Sequence, residues 1–91
     1  MITLEQAKDQ LRVLRSDQDD FISDLMERAL GAIQRLTGEG FDEYAEDLDA
    51  AQLLLVEWWF YPDSDVELDE VYNLPRAVVA LAVPYRTPTV A

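Results

Sequence analysis

The side chains that could carry chemistry in this 91-residue chain are carboxylates, because the sequence has 19 Asp and Glu residues but no His and no Cys. Two carboxylates can act as acid and base on a sugar, but only at a fixed separation across a cleft. So short a chain leaves little room for a cleft, and no Ser or Lys has a recognisable partner base. The sequence therefore predicts no catalytic residue, no cofactor and no small-molecule substrate.

A calcium loop is the most specific alternative for these acids, since Asp63–Glu67 places carboxylates at alternate positions. An EF-hand loop that begins at Asp63 needs Gly at its sixth position and Glu at its twelfth. Leu68 and Leu74 stand at those positions instead. Because His and Cys ligands are also missing, we expect no metal site.

The charge of the chain is large and uneven. The net charge is −12, and all seven basic residues lie outside the stretch between Arg35 and Arg76. That stretch holds 12 of the acids: Glu39, Asp42, Glu43, Glu46, Asp47, Asp49, Glu57, Asp63, Asp65, Glu67, Asp69 and Glu70. Affinity for a phosphate backbone comes mainly from Lys and Arg, so we expect no sequence-specific binding of nucleic acid. These acids form either an ordinary solvated face or a surface to which a polyanion such as DNA does not bind.

Helical signals run through most of the sequence. Thr3 and Gln6 fit a capping box, and Ser16 is placed as the N-cap of a longer helix that Gly38 closes. Ala77–Val83 would also suit a strand, but the preceding Pro75 and three alanines favour a helix. We predict an all-α fold in one domain, 1–91: a small bundle of about four helices with an extended acidic loop and a short C-terminal tail. The predicted segments are helices 4–13, 17–37, 43–61 and 75–83, loop 62–74 and tail 84–91, and the third helix is expected to start near Asp42 or at Glu46.

The predicted third helix is apolar on nearly every side in its second half, Leu53–Tyr61. Such a helix must be covered on every side, and a chain of this size has few elements to do so. We therefore expect a homo-oligomer. Neighbouring positions on a helix point about 100° apart, so we assign Trp58 to the subunit's own core, near the second helix, and Trp59 to its boundary.

Membrane insertion is not expected. The longest apolar runs, Leu53–Val56, Trp58–Tyr61 and Ala77–Val83, fall well short of the ~20 residues that span a bilayer. No basic segment followed by an apolar one opens the chain, as a secretion signal would.

Several short segments form a recognisable order along the chain. They are Met1–Lys8, Leu11–Val13, the acidic step Ser16–Asp20 before Phe21-Ile22, Leu53–Val56, Trp58–Tyr61, Leu74-Pro75, Ala80-Leu81 and Pro84–Arg86. In this order they resemble the head–tail connector (adaptor) family of long-tailed phages, whose members are also labelled DNA-packaging proteins, and the resemblance covers nearly the whole chain. One departure is the segment Pro62–Glu70, which is acidic here and often basic or polar in that family.

The resemblance implies a structural subunit of a ring that joins the portal to the tail and lets DNA pass. Its expected partners are further copies of the chain, the portal and other tail-connector proteins, at the head–tail junction of a virion assembled in the bacterial cytoplasm. The alternative is an acidic regulator or DNA mimic that binds a basic protein.

The candidate interface residues are Trp59, Phe60, Tyr61, Tyr85 and Arg86. The candidate acidic channel or loop residues are Asp63, Asp65, Glu67, Asp69 and Glu70.

Overall fold

The structure, a computed structural model, describes residues 1–86, and the last five residues of the predicted tail lie outside that range. The described part contains four α-helices and no β-strand, which confirms the predicted all-α fold. The helices are α1 (Leu4–Leu11), α2 (Asp19–Thr37), α3 (Glu46–Phe60) and α4 (Arg76–Ala82), with single 3₁₀ turns at Gly38–Gly40 and Val83–Tyr85.

The first helix begins with the predicted capping box. Thr3 Oγ1 accepts the N–H of Gln6 at 3.2 Å, and Gln6 Oε1 accepts the N–H of Thr3 at 2.8 Å. The helix ends at Leu11 and not near Val13 as predicted, because Arg12 adopts left-handed backbone angles (φ 59°, ψ 39°). The N–H of Val13 then turns back to the carbonyl of Lys8 at 3.0 Å, so the cap is closed without a glycine.

The second helix begins at Asp19, two residues later than predicted. Ser16 is not its N-cap, since the carbonyl of Ser16 accepts the N–H of Asp19 in a preceding turn (3.2 Å) and Gln18 occupies the cap position. Lys8 Nζ contacts Asp19 Oδ1 at 2.8 Å and ties α1 to the start of α2. Gly38 closes the helix as predicted, with φ 59° and ψ −130°, a region that only glycine enters without strain.

The third and fourth helices also differ from their predicted bounds. Helix α3 begins only at Glu46, because Asp42 Oδ1 accepts the N–H of Tyr44 at 2.9 Å in a local turn before it. Pro75 precedes α4 and does not begin it: its backbone is extended, and its carbonyl accepts the N–H groups of Val78 and Val79. The predicted tail begins too early, since the final 3₁₀ turn includes Pro84.

The core lies where the four helices face one another. The buried apolar residues of the helices recur at spacings of three and four: Ala7 and Leu11; Ile22, Leu25, Ala29, Ala32, Ile33 and Leu36; Leu48, Ala51, Leu55 and Val56; Val78, Val79 and Ala82. Gln52 is the buried polar exception in α3, and its amide is satisfied. Its Nε2 donates to the carbonyl of Met26 at 2.9 Å, and its Oε1 accepts the N–H of Ile2 at 3.4 Å. Gln52 thereby links α3, α2 and the segment before α1.

Candidate assembly surfaces

The two tryptophans near the end of α3 are both half-buried and packed against the core. Their rings stack with centroids 6.2 Å apart and an angle of 28° between the planes. Both indoles contact the subunit's own core, which was predicted for Trp58 only, and both remain partly exposed. Trp59 lines a groove of about 290 Å³ together with Ala32, Arg35 and Leu36 of α2 and with Tyr72 and Leu74 of the acidic loop.

The other two aromatic residues of the run lie at the end of the bundle where α1 leads into α2. The Phe60 ring lies 6.0 Å from that of Phe21 and 4.9 Å from that of Tyr61, the latter edge to face. The Tyr61 hydroxyl donates to the carbonyl of Leu11 at 2.6 Å, yet 44% of the residue stays exposed. These three rings form an aromatic cluster that the subunit itself covers only in part.

Two exposed apolar residues, Phe21 in this cluster and Leu14 beside it, were not among the predicted interface residues. Leu14 is 95% exposed and Phe21 is 50% exposed. The exposure of Leu14 could be predicted from the sequence, since Leu14 lies between Arg12 and Arg15 and outside any helical pattern. The exposure of Phe21 could not, because Phe21 directly precedes Ile22, where the buried stripe of α2 begins. Only the folded helix shows that Phe21 points outward.

Tyr85 and Arg86 lie just beyond α4, and the side chain of each forms a hydrogen bond with another part of the chain. The Tyr85 hydroxyl donates to Asp47 Oδ2 at 3.2 Å, across to the first turn of α3. Partial burial and the carboxylates of Asp47 and Asp42 raise the pKa of Tyr85 above its usual range, so this hydroxyl remains a donor. Arg86 Nη1 donates to the Tyr72 hydroxyl at 2.6 Å, and the guanidinium carbon lies 5.9 Å from that ring's centroid.

The acidic loop folds back on itself between Glu67 and Arg76. Leu68 pairs with Pro75 in an isolated antiparallel bridge, and the N–H of Asp69 donates to the carbonyl of Leu74 at 2.8 Å. The loop is therefore a closed turn in its second half and not an open arm.

The five predicted acidic residues of this loop have different environments. Asp69 Oδ1 accepts the N–H groups of Val71 and Tyr72 at 2.9 and 3.0 Å, so Asp69 shapes the turn. Glu67 pairs with Arg76 at 3.2 Å. The remaining three, Asp63, Asp65 and Glu70, are exposed and form no ion pair within residues 1–86.

Residues 1–86 contain neither a metal-binding cluster of acids nor a helix that could span a membrane. No group of three or more Asp and Glu side chains in residues 1–86 is arranged to hold a metal ion. Over the same range, no helix combines the length and the apolar character that crossing a bilayer requires.

Comparison with known protein families gives a match over nearly the whole chain. The model of a family described as phage gp6-like head-tail connector protein matches residues 1–86. No curated protein and no solved structure matches the chain. The matched range is the same as the range that the structure describes, so it includes all four helices, the aromatic cluster and the acidic loop.

Proposed function

Because the chain belongs to the phage gp6-like head-tail connector family, we propose that it is a structural subunit of a ring that joins the portal to the tail. Membership of this family supports a position at the junction between phage head and tail. We further propose that this ring contacts the portal, that DNA passes through it, and that it assembles in the cytoplasm of the host bacterium.

The observation that carries the ring proposal is the incomplete cover of the aromatic residues at the end of α3. Trp58, Trp59 and Phe60 are half-buried and Tyr61 is exposed in the single subunit. Large aromatic side chains combine much apolar area with few rotatable bonds, which favours them as anchors of interfaces. A neighbouring subunit or connector protein would remove this surface from water.

The five candidate interface residues form three groups in this proposal. Phe60 and Tyr61 belong to the aromatic cluster, and Trp59 lines the groove beside α2. Tyr85 and Arg86 lie beyond α4 and are already hydrogen-bonded, to Asp47 and Tyr72 respectively. We assign contacts between subunits to the first group and contacts with the portal or with other connector proteins to the remaining two.

The acidic surface suits the wall of a channel for DNA. Fixed negative charge repels a phosphate backbone, so DNA can slide past without being held. Asp63, Asp65 and Glu70 are the loop residues whose carboxylates remain available for this role. The other two carboxylates, those of Glu67 and Asp69, are engaged by Arg76 and by the backbone of the turn.

Electron microscopy of the concentrated protein tests the ring itself. We expect closed rings with a central opening wide enough for a DNA duplex, because head-to-tail contacts that close under rotation give rings. Open filaments, or particles without a central opening, would contradict the proposal.

A titration of labelled DNA duplex tests the channel wall. In low salt, about 50 mM, we expect no binding tighter than about 100 μM, the weak end of non-specific affinity. A variant with Asp63, Asp65 and Glu70 all changed to Lys is the matched comparison, and it should bind the duplex more tightly and in a salt-sensitive way. Tight binding by the unaltered chain would refute the channel role.

A further inference from the structure

The groove beside Trp59 is the part of the surface with the fewest charges. Its volume is about 290 Å³, and Arg35 is the only charged residue among those that line it, which are Ala32, Arg35, Leu36, Trp59, Tyr72 and Leu74. The indole of Trp59 is half-buried there, so part of its apolar area stays in contact with water within residues 1–86. The groove therefore has an apolar surface that the described residues do not cover.

The described part of the chain ends beside this groove. Arg86 is its last residue, and Arg86 Nη1 donates to the Tyr72 hydroxyl at 2.6 Å. Since Tyr72 lines the groove, residue 87 begins within one arginine side chain of it. An extended chain covers about 3.3 Å per residue, so Val90, four positions further on, can lie up to about 13 Å from Arg86. The groove is within reach of Val90.

The segment 87–91, Thr-Pro-Thr-Val-Ala, differs in composition from the loops between the helices. The segments 12–18, 38–45 and 61–75 each contain at least three charged residues, whereas 87–91 contains none. Pro88 favours extended backbone at its own position and at Thr87. In an extended segment alternate side chains share a face, which places Pro88 and Val90 together. An uncharged segment with an apolar face suits this groove whatever the charges around it.

We propose that residues 87–91 fold back on their own subunit and that Val90 packs into the groove against Trp59 and Leu74. Burial of apolar area favours this contact, and the short connection to Arg86 keeps the segment at a high effective concentration beside the groove. The contact lies within one subunit and does not require the ring. Its consequence rests on the proposed function: a portal or connector protein that binds at Trp59 must displace this segment first.

Quenching of tryptophan fluorescence by acrylamide tests the contact. The chain has two tryptophans, so W58F leaves Trp59 as the only reporter in dilute, monomeric protein. Deletion of residues 87–91 in this background should raise the quenching constant and shift the emission to longer wavelength, because water reaches more of the indole. V90D should do the same, since burying a carboxylate in an apolar groove is costly.

T89D is the matched control for V90D. It adds the same charge at the adjacent position, whose side chain points to the opposite face of an extended segment, and it should leave the quenching constant nearly unchanged. Circular dichroism should show equal helical content in all variants. A deletion without effect on quenching, or equal effects of V90D and T89D, would overturn the proposal.

Disulfide formation tests the same contact with both tryptophans in place. The chain has no cysteine, so L74C/V90C places one thiol in the groove and one on the segment, and the bond requires Cα atoms within about 7 Å. V71C/V90C is the control, because Val71 lies in the same loop but is 83% exposed and does not line the groove. The internal disulfide should form about tenfold or more faster in L74C/V90C than in V71C/V90C.

The outcomes separate this inference from the ring proposal. Equal rates in the two double variants would overturn the contact, and disulfides formed mainly between two copies would assign the groove to the segment of a neighbouring subunit instead. Neither measurement requires self-association. A failure here therefore leaves the ring proposal in place, and a chain that forms no ring leaves this inference in place.

Discussion

Replacing Leu55 with alanine is expected to lower the free energy of unfolding by about 2–5 kcal/mol, enough to unfold much of so small a domain. Leu55 is completely buried in the middle of α3. Its truncation removes apolar contacts on all sides and leaves a cavity that the packed helices cannot fill. Urea denaturation followed by circular dichroism measures the effect.

Leu14→Ala is the matched control for Leu55→Ala, because the same group is removed from a side chain that is 95% exposed. A surface truncation of this kind changes the free energy of unfolding by about 0.5 kcal/mol or less. If the two variants lost equal stability, the placement of α3 in the core would be wrong.

Replacing Tyr61 with alanine is expected to weaken self-association by about 2 kcal/mol, roughly thirtyfold in the association constant, while the chain stays folded. The ring of Tyr61 packs on Phe60 and remains partly exposed at the end of the bundle where α1 leads into α2. It can therefore act as an anchor for a neighbouring copy. Sedimentation equilibrium gives the association constant, and circular dichroism reports the helical content.

Tyr61→Phe separates the ring from its hydroxyl. This variant loses only the hydrogen bond to the carbonyl of Leu11, which contributes about 0.5–1.5 kcal/mol to folding. It should keep most of the association. Should Tyr61→Phe weaken association as much as Tyr61→Ala, the apolar contact would not be the cause. Should Tyr61→Ala leave association unchanged, the interface would lie elsewhere.

The sequence carries enough periodicity to predict the helices, but it predicts their ends only where a cap has a clear residue signature. The buried stripe of α2 from Ile22 to Leu36 follows the 3.6-residue period closely, and Thr3, Gln6 and Gly38 give caps of known chemistry. These features depend on residues close together in the chain. The all-α fold follows from them.

The features that the sequence did not predict depend on the backbone conformation of single residues or on the packing of the helices. Arg12 takes left-handed angles that residue type does not favour, and a hydrogen bond of Asp42 delays α3. The two indoles of Trp58 and Trp59 stack on each other, so neither follows from its position on a helical wheel. The outward position of Phe21 likewise requires the folded bundle.

The candidate site could be predicted in composition but not in arrangement. The sequence indicates an aromatic run and an acidic loop, and both are present. It does not separate Glu67 and Asp69, which are engaged within the loop, from Asp63, Asp65 and Glu70, which are not.

Native mass spectrometry of the unaltered chain near millimolar concentration tests the central claim, that this is one subunit of a closed ring. The account predicts one dominant assembly with a single subunit number, with monomer as the only other abundant species, because every head-to-tail contact is used only when the ring closes. A chain that remains monomeric at that concentration would contradict the account and favour the alternative, an acidic regulator or DNA mimic that binds a basic protein.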